Sequence, residues 1–373
     1  MTRRYRPHMA DKETKPRRSP LHDRHEALGA RFEEWKWGLR DTQLVPMDYG
    51  DTYGEHAAVR EGAGVFDLSH HGQVMLQGIG TGDALNAILT NDIDRLNSVG
   101  KSQYSLLCNR DGGVIDEILV NRFTKSSFVL LGTAANWLDA AIVINDYLPG
   151  MVELAVLDGA QTILEVHGPE AELVLDRLGI PVGHPHLDFE IATAALWEGA
   201  WSCRTDRFGE ESYLVVLDNE PALKLWDALL ASGATPCGLD AYDLLRLEHG
   251  LPKYGTEIGP DINPVEARMG WAVGWSKEAF HGKEPLETVR ISGPARRLWG
   301  LEALDDAVPL ADEPVYDGER QVGATTSAGY SPTVDKGIAL AFLDPDLKPS
   351  TELHTPGPEG PVPVRIVKPP FTP

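Results

Sequence analysis

Cysteine is scarce in this chain: Cys108, Cys203 and Cys237 are the only three in 373 residues. Three scattered thiols make neither a disulfide framework nor a zinc spacing, and they fit a reducing cytoplasm. Long apolar runs are missing too. No stretch approaches the roughly 18 residues of a membrane span, and residues 1–19 lack the apolar centre of a signal peptide. Cations are outnumbered, with 34 Lys and Arg against 56 Asp and Glu, a formal net charge of -22. Such a surface repels nucleic-acid phosphates and anionic membranes; a small anionic ligand in a local basic pocket stays compatible with it. No Walker loop, G-x-G-x-x-G or G-x-S-x-G occurs, which argues against nucleotide, dinucleotide and serine-hydrolase chemistry.

What is present is ordinary for a globular chain: 42% hydrophobic and 24% charged residues. The length exceeds one usual core and predicts two or three domains. Residues 1–19, rich in Arg and Lys, read as a flexible tail or interaction arm. Residues 21–32 read as a helix and 35–49 as an irregular aromatic loop. From about 66 to 150, strands and helices alternate as in an α+β unit. Beyond about 290, short apolar runs separated by Gly, Pro and Asp turns predict a small all-β sandwich or barrel.

The stretch 109–123, N-R-D-G-G-V-I-D-E-I-L-V-N-R-F, reads as a turn followed by a strand that pairs with residues 103–108. It carries two adjacent carboxylates, Asp116 and Glu117. Neighbours in a strand point to opposite faces, so only one of them faces a pocket. A carboxylate held in an apolar pocket is a candidate general base or cation stabiliser; an edge strand with two solvated acids is the plainer alternative. His70 and His71 are adjacent, a poor spacing for a metal pair, and read as a turn or pocket lining. The segment 204–213 packs Arg204, Arg207, Glu210 and Glu211 around Gly209, either a solvated hairpin tip or a site. Tyr242 and Arg246 lie four apart on one helical face, where Arg246 and Glu248 suit structural ion pairs.

Read together, these stretches resemble the aminomethyltransferase family, the glycine cleavage T-protein and its relatives. The matching pieces run in order: S-P-L-H-D-R-H from Ser19, G-V-F-D-L-S-H from Gly64, T-N-D-I from Thr90 and Q-Y-S-L-L-C-N-R-D-G-G-V-I-D-E from Gln103. There follow H-G-P-E-A from His167, L-R-L-E-H-G-L-P-K-Y-G-T-E-I from Leu245, P-V-E-A-R-M-G-W-A-V from Pro264, S-A-G-Y-S-P-T-V-D-K-G-I-A-L-A from Ser327 and V-K-P-P-F from Val367. The resemblance implies an α+β fold in a three-domain cloverleaf around a central channel. Domain 1 would span 20–65 and 153–253, domain 2 would span 66–152 and 254–288, and a C-terminal β-barrel 289–373. It implies tetrahydrofolate in the channel and one-carbon transfer from a small-molecule donor, or from a lipoyl carrier protein if the chain is a true T-protein. It also places Asp116 beside the folate nitrogens as the catalytic acid, with Glu117 facing away. Cofactor-binding positions would be His71, Tyr104, Thr133, Arg207, Glu210, Leu214, Tyr242 and Trp271.

Several of those positions depart from the family pattern. The T-protein acid that reads the pterin edge ends the pattern G-Y-T-G-E-D-G-Y-E, and the aligned segment here is D-R-F-G-E-E-S-Y-L. The acid's place is Leu214 and that of the first tyrosine is Arg207. The arginine of A-R-D is Tyr242, the asparagine of N-A-A-N is Thr133, and the methionine after S-H is His71. G-G-W-E-M-P is replaced by the longer W-K-W-G-L-R-D-T-Q-L-V-P-M. These changes point to a divergent demethylase or methyltransferase rather than the housekeeping T-protein. The alternatives are a folate-independent enzyme on the same scaffold, with Asp116 as general base, and a non-catalytic folate-binding protein.

Overall fold

The computed structural model describes residues 15–37, 41–133, 136–157 and 159–372; most of the basic tail, 1–14, lies outside the described residues. The chain divides into two compact units. One is Met1–Leu107 with Ile115–Ala241, the other Cys108–Val114 with Tyr242–Pro373.

The first unit opens differently from the sequence reading. Arg17–Arg18 is a short strand rather than tail, and Ser19 donates through its hydroxyl to buried Asp67. The first helix is only His22–Ala27, because Gly29 turns left-handed at φ 81 and ends it. The supposed aromatic loop is an antiparallel hairpin, Arg31–Trp37 with Asp41–Asp48, and Trp35 lies opposite Gln43. A charged and aromatic strand of this kind gains its conformation from its partner more than from its own propensity.

Two sheets carry the rest of this unit. The six-stranded sheet runs Phe189–Ile191, Trp201–Arg204, Ser212–Asp218, Gln161–His167, Gly64–Asp67, Thr235–Pro236. Its Leu164, Val166, Tyr213, Val215 and Leu217 alternate onto one face and form a core with Leu175, Leu225 and Trp226 of helices Ala171–Arg177 and Asn219–Ala231. The five-stranded sheet runs Lys101–Cys108, Val114–Arg122, Ser127–Gly132, Gly72–Gln77, Glu153–Val156. Its Ile118, Val120, Phe128 and Leu130 pack with Leu85, Ile88, Trp137 and Ile144 of helices Thr81–Ile88 and Trp137–Tyr147. Each sheet thus has a helix-covered face and a helix-free one, the period-2 consequence of a strand with one buried side.

In the second unit, the tip of the 101–122 hairpin is held by Asn109. Its carbonyl side-chain oxygen accepts from Asp111 N and Gly113 N, and its amide donates to Pro260 O at 2.8 Å. The C-terminal region closes into a six-stranded barrel in the order Arg297–Ala303, Lys336–Leu343, Arg320–Ser331, Pro314–Asp317, Glu352–Gly357, Gly360–Val367. The fold is α+β with a closed barrel, as expected; the strands Pro314–Asp317 and Glu352–Gly357 are short and Pro-bearing, so no apolar run marks them. No described helix is long and apolar enough to cross a membrane.

Candidate functional site

The helix-free faces of the two sheets of the first unit contribute side chains to one pocket. From the five-stranded sheet and the segments at its ends come Tyr104, Glu117, Leu119, Leu131, Thr133 and His71; from the six-stranded sheet come Ile163, Glu165 and Leu214, joined by Arg207 from the turn before Ser212–Asp218. Glu117 and Leu119 are two apart in one strand, as are Ile163 and Glu165, so alternation delivers each pair to the pocket.

Alternation therefore holds for the adjacent acids, but their faces are reversed. Glu117 lines the pocket, and the expectation that it faces away is corrected. Asp116 is fully buried on the helix-covered face with Ile118 and Val120. Its carboxyl group accepts from Thr133 N at 3.2 Å, Thr133 Oγ1 at 2.5 Å and Glu117 N at 2.9 Å. Burial pushes its pKa up to about 8, further than these hydrogen bonds pull it down. Gly132 makes the space: a Cβ there would lie 2.6 Å from Asp116 Oδ2. Among the described residues, Asp116 reaches the pocket lining through Thr133 and the backbone of Glu117.

Arg207 is the pocket's fixed cation. Asp206 at φ 45 and Gly209 at φ 77 bend the turn, and Arg207 N donates to Ser212 Oγ at 3.0 Å. The guanidinium donates to the Tyr104 hydroxyl at 3.3 Å, reaches Glu117 Oε1 at 3.5 Å and lies 5.9 Å above the Tyr104 ring. Burial raises the Tyr104 pKa, so the phenol stays protonated. His71 is pushed down to about 3, first by burial and then by His70 and Arg207; burial also takes His70 down to about 4. Both imidazoles are neutral at ordinary pH. Trp35 of the N-terminal hairpin packs edge-on against His70, which packs edge-on against His71.

Glu165 had no part in the sequence reading. It interrupts the apolar run Ile163, Leu164, Val166, and an acid inside a central strand was the signal available. Its Oε2 lies 2.9 Å from His167 Nε2. Burial works against its charge, but the His167 hydrogen bond, with the electrostatic pull of His167 and Arg207, outweighs it and holds the pKa at about 2. The pocket thus pairs two carboxylates and one guanidinium with the apolar walls Leu119, Leu131, Ile163 and Leu214. Of the expected binding residues, His71, Tyr104, Thr133, Arg207 and Leu214 meet here. Glu210 instead pairs with Arg60 at 2.9 Å. Tyr242, half-buried on the helix Leu239–His249, and the exposed Trp271 belong to the second unit.

Comparison with known proteins gives this arrangement a context. Residues 21–277 match the family model described as the GCVT N-terminal domain, and residues 296–372 match the glycine cleavage T-protein C-terminal barrel domain. The aminomethyltransferase of Frankia alni is 38% identical over 371 residues, 96% of this chain and 98% of that one. That of Mycobacterium avium is 39% identical over 88% of each chain. The crystal structure of the glycine cleavage system aminomethyltransferase T from Bartonella henselae is 27% identical and superposes with a TM-score of 0.88 over 96% of this chain and 98% of that one. A match to both family models across nearly all of the chain, with relatives of this identity and coverage, decides the assignment: the chain belongs to the glycine cleavage T-protein family of aminomethyltransferases, and it is an enzyme.

Proposed function

We propose that the enzyme transfers the carbon of an aminomethyl group to tetrahydrofolate, with the donor thiol and ammonia released, and with Glu117 as the carboxylate at the reacting atoms. The observation that carries this reading is the placement of Glu117: it alone of the two adjacent acids lines the pocket, with Arg207 at 3.5 Å. The donor set fits the cofactor. A reduced pterin has flat apolar faces and an edge rich in N–H groups, which suit leucine and isoleucine walls and acceptor carboxylates. When bound, tetrahydrofolate supplies the nitrogen nucleophiles that receive the one-carbon unit.

The chain's own groups supply position and charge. Glu117 accepts the proton of the attacking amine and stabilises the positive charge that develops during transfer. Arg207 orients that carboxylate, and the Tyr104 hydroxyl holds the guanidinium in turn. The neutral ring of His71 adds a polar contact without a competing positive charge. Asp116, protonated behind the strand, locks the Thr133 turn and the backbone of Glu117, so it is a positioning residue in this reading. The aminomethyl donor would arrive on the lipoyl arm of a carrier protein, the partner implied by membership of the glycine cleavage system. In this reading domain 1 spans 20–65 and 153–253, domain 2 spans 66–152 and 254–288, and the barrel spans 289–373.

Glu117→Gln should fold normally and lose transfer by roughly 10²- to 10⁴-fold, the usual contribution of a positioned acid–base group. Single-turnover transfer from an aminomethyl-loaded lipoyl carrier to tetrahydrofolate measures this. Unchanged turnover in Glu117→Gln would remove the assignment of Glu117. Turnover with small N-methyl donors but not with the loaded carrier would favour a demethylase.

A further inference from the structure

The register of the six-stranded sheet sets Glu165 of Gln161–His167 directly opposite Leu214 of Ser212–Asp218. Opposed residues in an antiparallel pair have Cβ atoms about 4.5–5.5 Å apart, so a carboxylate on either strand reaches nearly the same volume. Both residues line the pocket. Position 214, where the family pattern ends in an acid, is leucine here, and the acid stands across the ladder instead.

Glu165 is built into its place. Residue 167, two along on the same strand face, is His167, whose Nε2 meets Glu165 Oε2 at 2.9 Å; its ring stacks on Phe208 at 4.9 Å and 18°. Phe66 closes the His167 ring edge-on at 5.4 Å. Leu164 and Val166 on either side are core residues, which fixes the strand's rotation and leaves Glu165 only the pocket side. A buried carboxylate is costly unless it is paired and hydrogen-bonded; His167 meets one oxygen of Glu165, and an ionised carboxylate suits paired N–H donors.

We propose that Glu165 is the specificity-determining carboxylate of the pocket, reading the adjacent ring N–H and exocyclic amine of a reduced pterin from the strand opposite position 214. The proposal rests on the tetrahydrofolate reading above. His167 is its positioning residue, and Leu214 supplies a flat apolar contact where a second carboxylate would repel the first.

Calorimetric titration of the full-length wild type, Glu165→Gln and two further variants tests it, with tetrahydrofolate and with a tetrahydropterin lacking the 2-amino group. Wild type should bind tetrahydrofolate, and Glu165→Gln should bind it roughly 10- to 100-fold more weakly, as expected for losing charge-assisted hydrogen bonds. That ratio should shrink toward one with the desamino ligand, which a merely structural role would not produce. The double variant Glu165→Ala with Leu214→Glu should bind at least tenfold more tightly than Glu165→Ala alone. Equal binding by wild type and Glu165→Gln, or an unchanged ratio with the desamino ligand, overturns the proposal while leaving the folate reading standing. Failure of wild type to bind either ligand overturns both.

Discussion

Asp116 and Glu117 differ by one peptide unit and end in opposite environments. Among the described residues, no cation lies beside Asp116, which relies on hydrogen bonds from Thr133 and the Glu117 backbone, so burial wins and its proton is held up to about pH 8. The sign of the resulting linkage is definite. The folded pKa lies above the unfolded one, near 3.8, so its contribution to stability is fully present below about pH 4 and is lost as pH rises to about 8. Asp116→Asn removes the titration and should flatten the stability profile over that window by up to about 1.4 kcal/mol per pH unit. Urea melts of both proteins at several pH values measure this; parallel profiles would show that Asp116 is charged in the folded state.

At the scale of elements, the pocket depends on how closely helix Trp137–Tyr147 seats on its sheet. Gly72 and Gly132 face each other across the ladder, and both lie under Trp137. A Cβ on Gly72 would come within 1.9 Å of the Trp137 ring, and the buried indole has no flexible end to yield. Gly72→Ala should therefore destabilise by about 2–3 kcal/mol, and the displaced helix should disturb the Thr133 turn, so tetrahydrofolate affinity falls alongside the denaturation midpoint. Loss of stability with full affinity would uncouple helix seating from the pocket. In the second unit, helix Leu239–His249 is tied down through Arg246. Its guanidinium meets Glu257 at 3.3 Å and the Ser327 hydroxyl at 2.8 Å, and that hydroxyl donates to Glu257 at 2.6 Å. Removing one member of a buried pair strands the other, so Glu257→Ala should lower stability by about 3 kcal/mol, read by chemical denaturation; a change under about 1 kcal/mol would show that Asp243, which accepts from Arg246 Nε at 2.7 Å, alone satisfies the arginine.

Across the whole molecule, a formal charge of -22 opposes compaction through self-repulsion. Raising ionic strength from about 10 to 200 mM screens that repulsion, and thermal stability should rise with salt in calorimetry. A fall would mean that exposed ion pairs such as Arg24–Asp227 outweigh the net charge. The pocket shares this acidity, since Glu117 and Glu165 stand against the one guanidinium of Arg207.

Much of the architecture was legible because it follows from patterning. The turn residues and the apolar run behind them marked the strand within 109–123 and its partner at 103–108, Gly and Pro punctuation marked the barrel, and the ordered motifs pointed to the family. The hairpin Arg31–Asp48 was not legible, since its charged and aromatic first strand lacks a clean apolar alternation and gains its conformation from its partner. Alternation alone established that Asp116 and Glu117 must part. Which of them meets the pocket was decided by tertiary structure: helix Trp137–Tyr147 covers one face of the sheet and claims Asp116 with it, leaving Glu117 to the open face. Glu165 shows the same limit. Its charge was visible in the sequence, but only the pairing of its strand with Ser212–Asp218 puts it across from Leu214, because register is a property of two strands and neither specifies it alone.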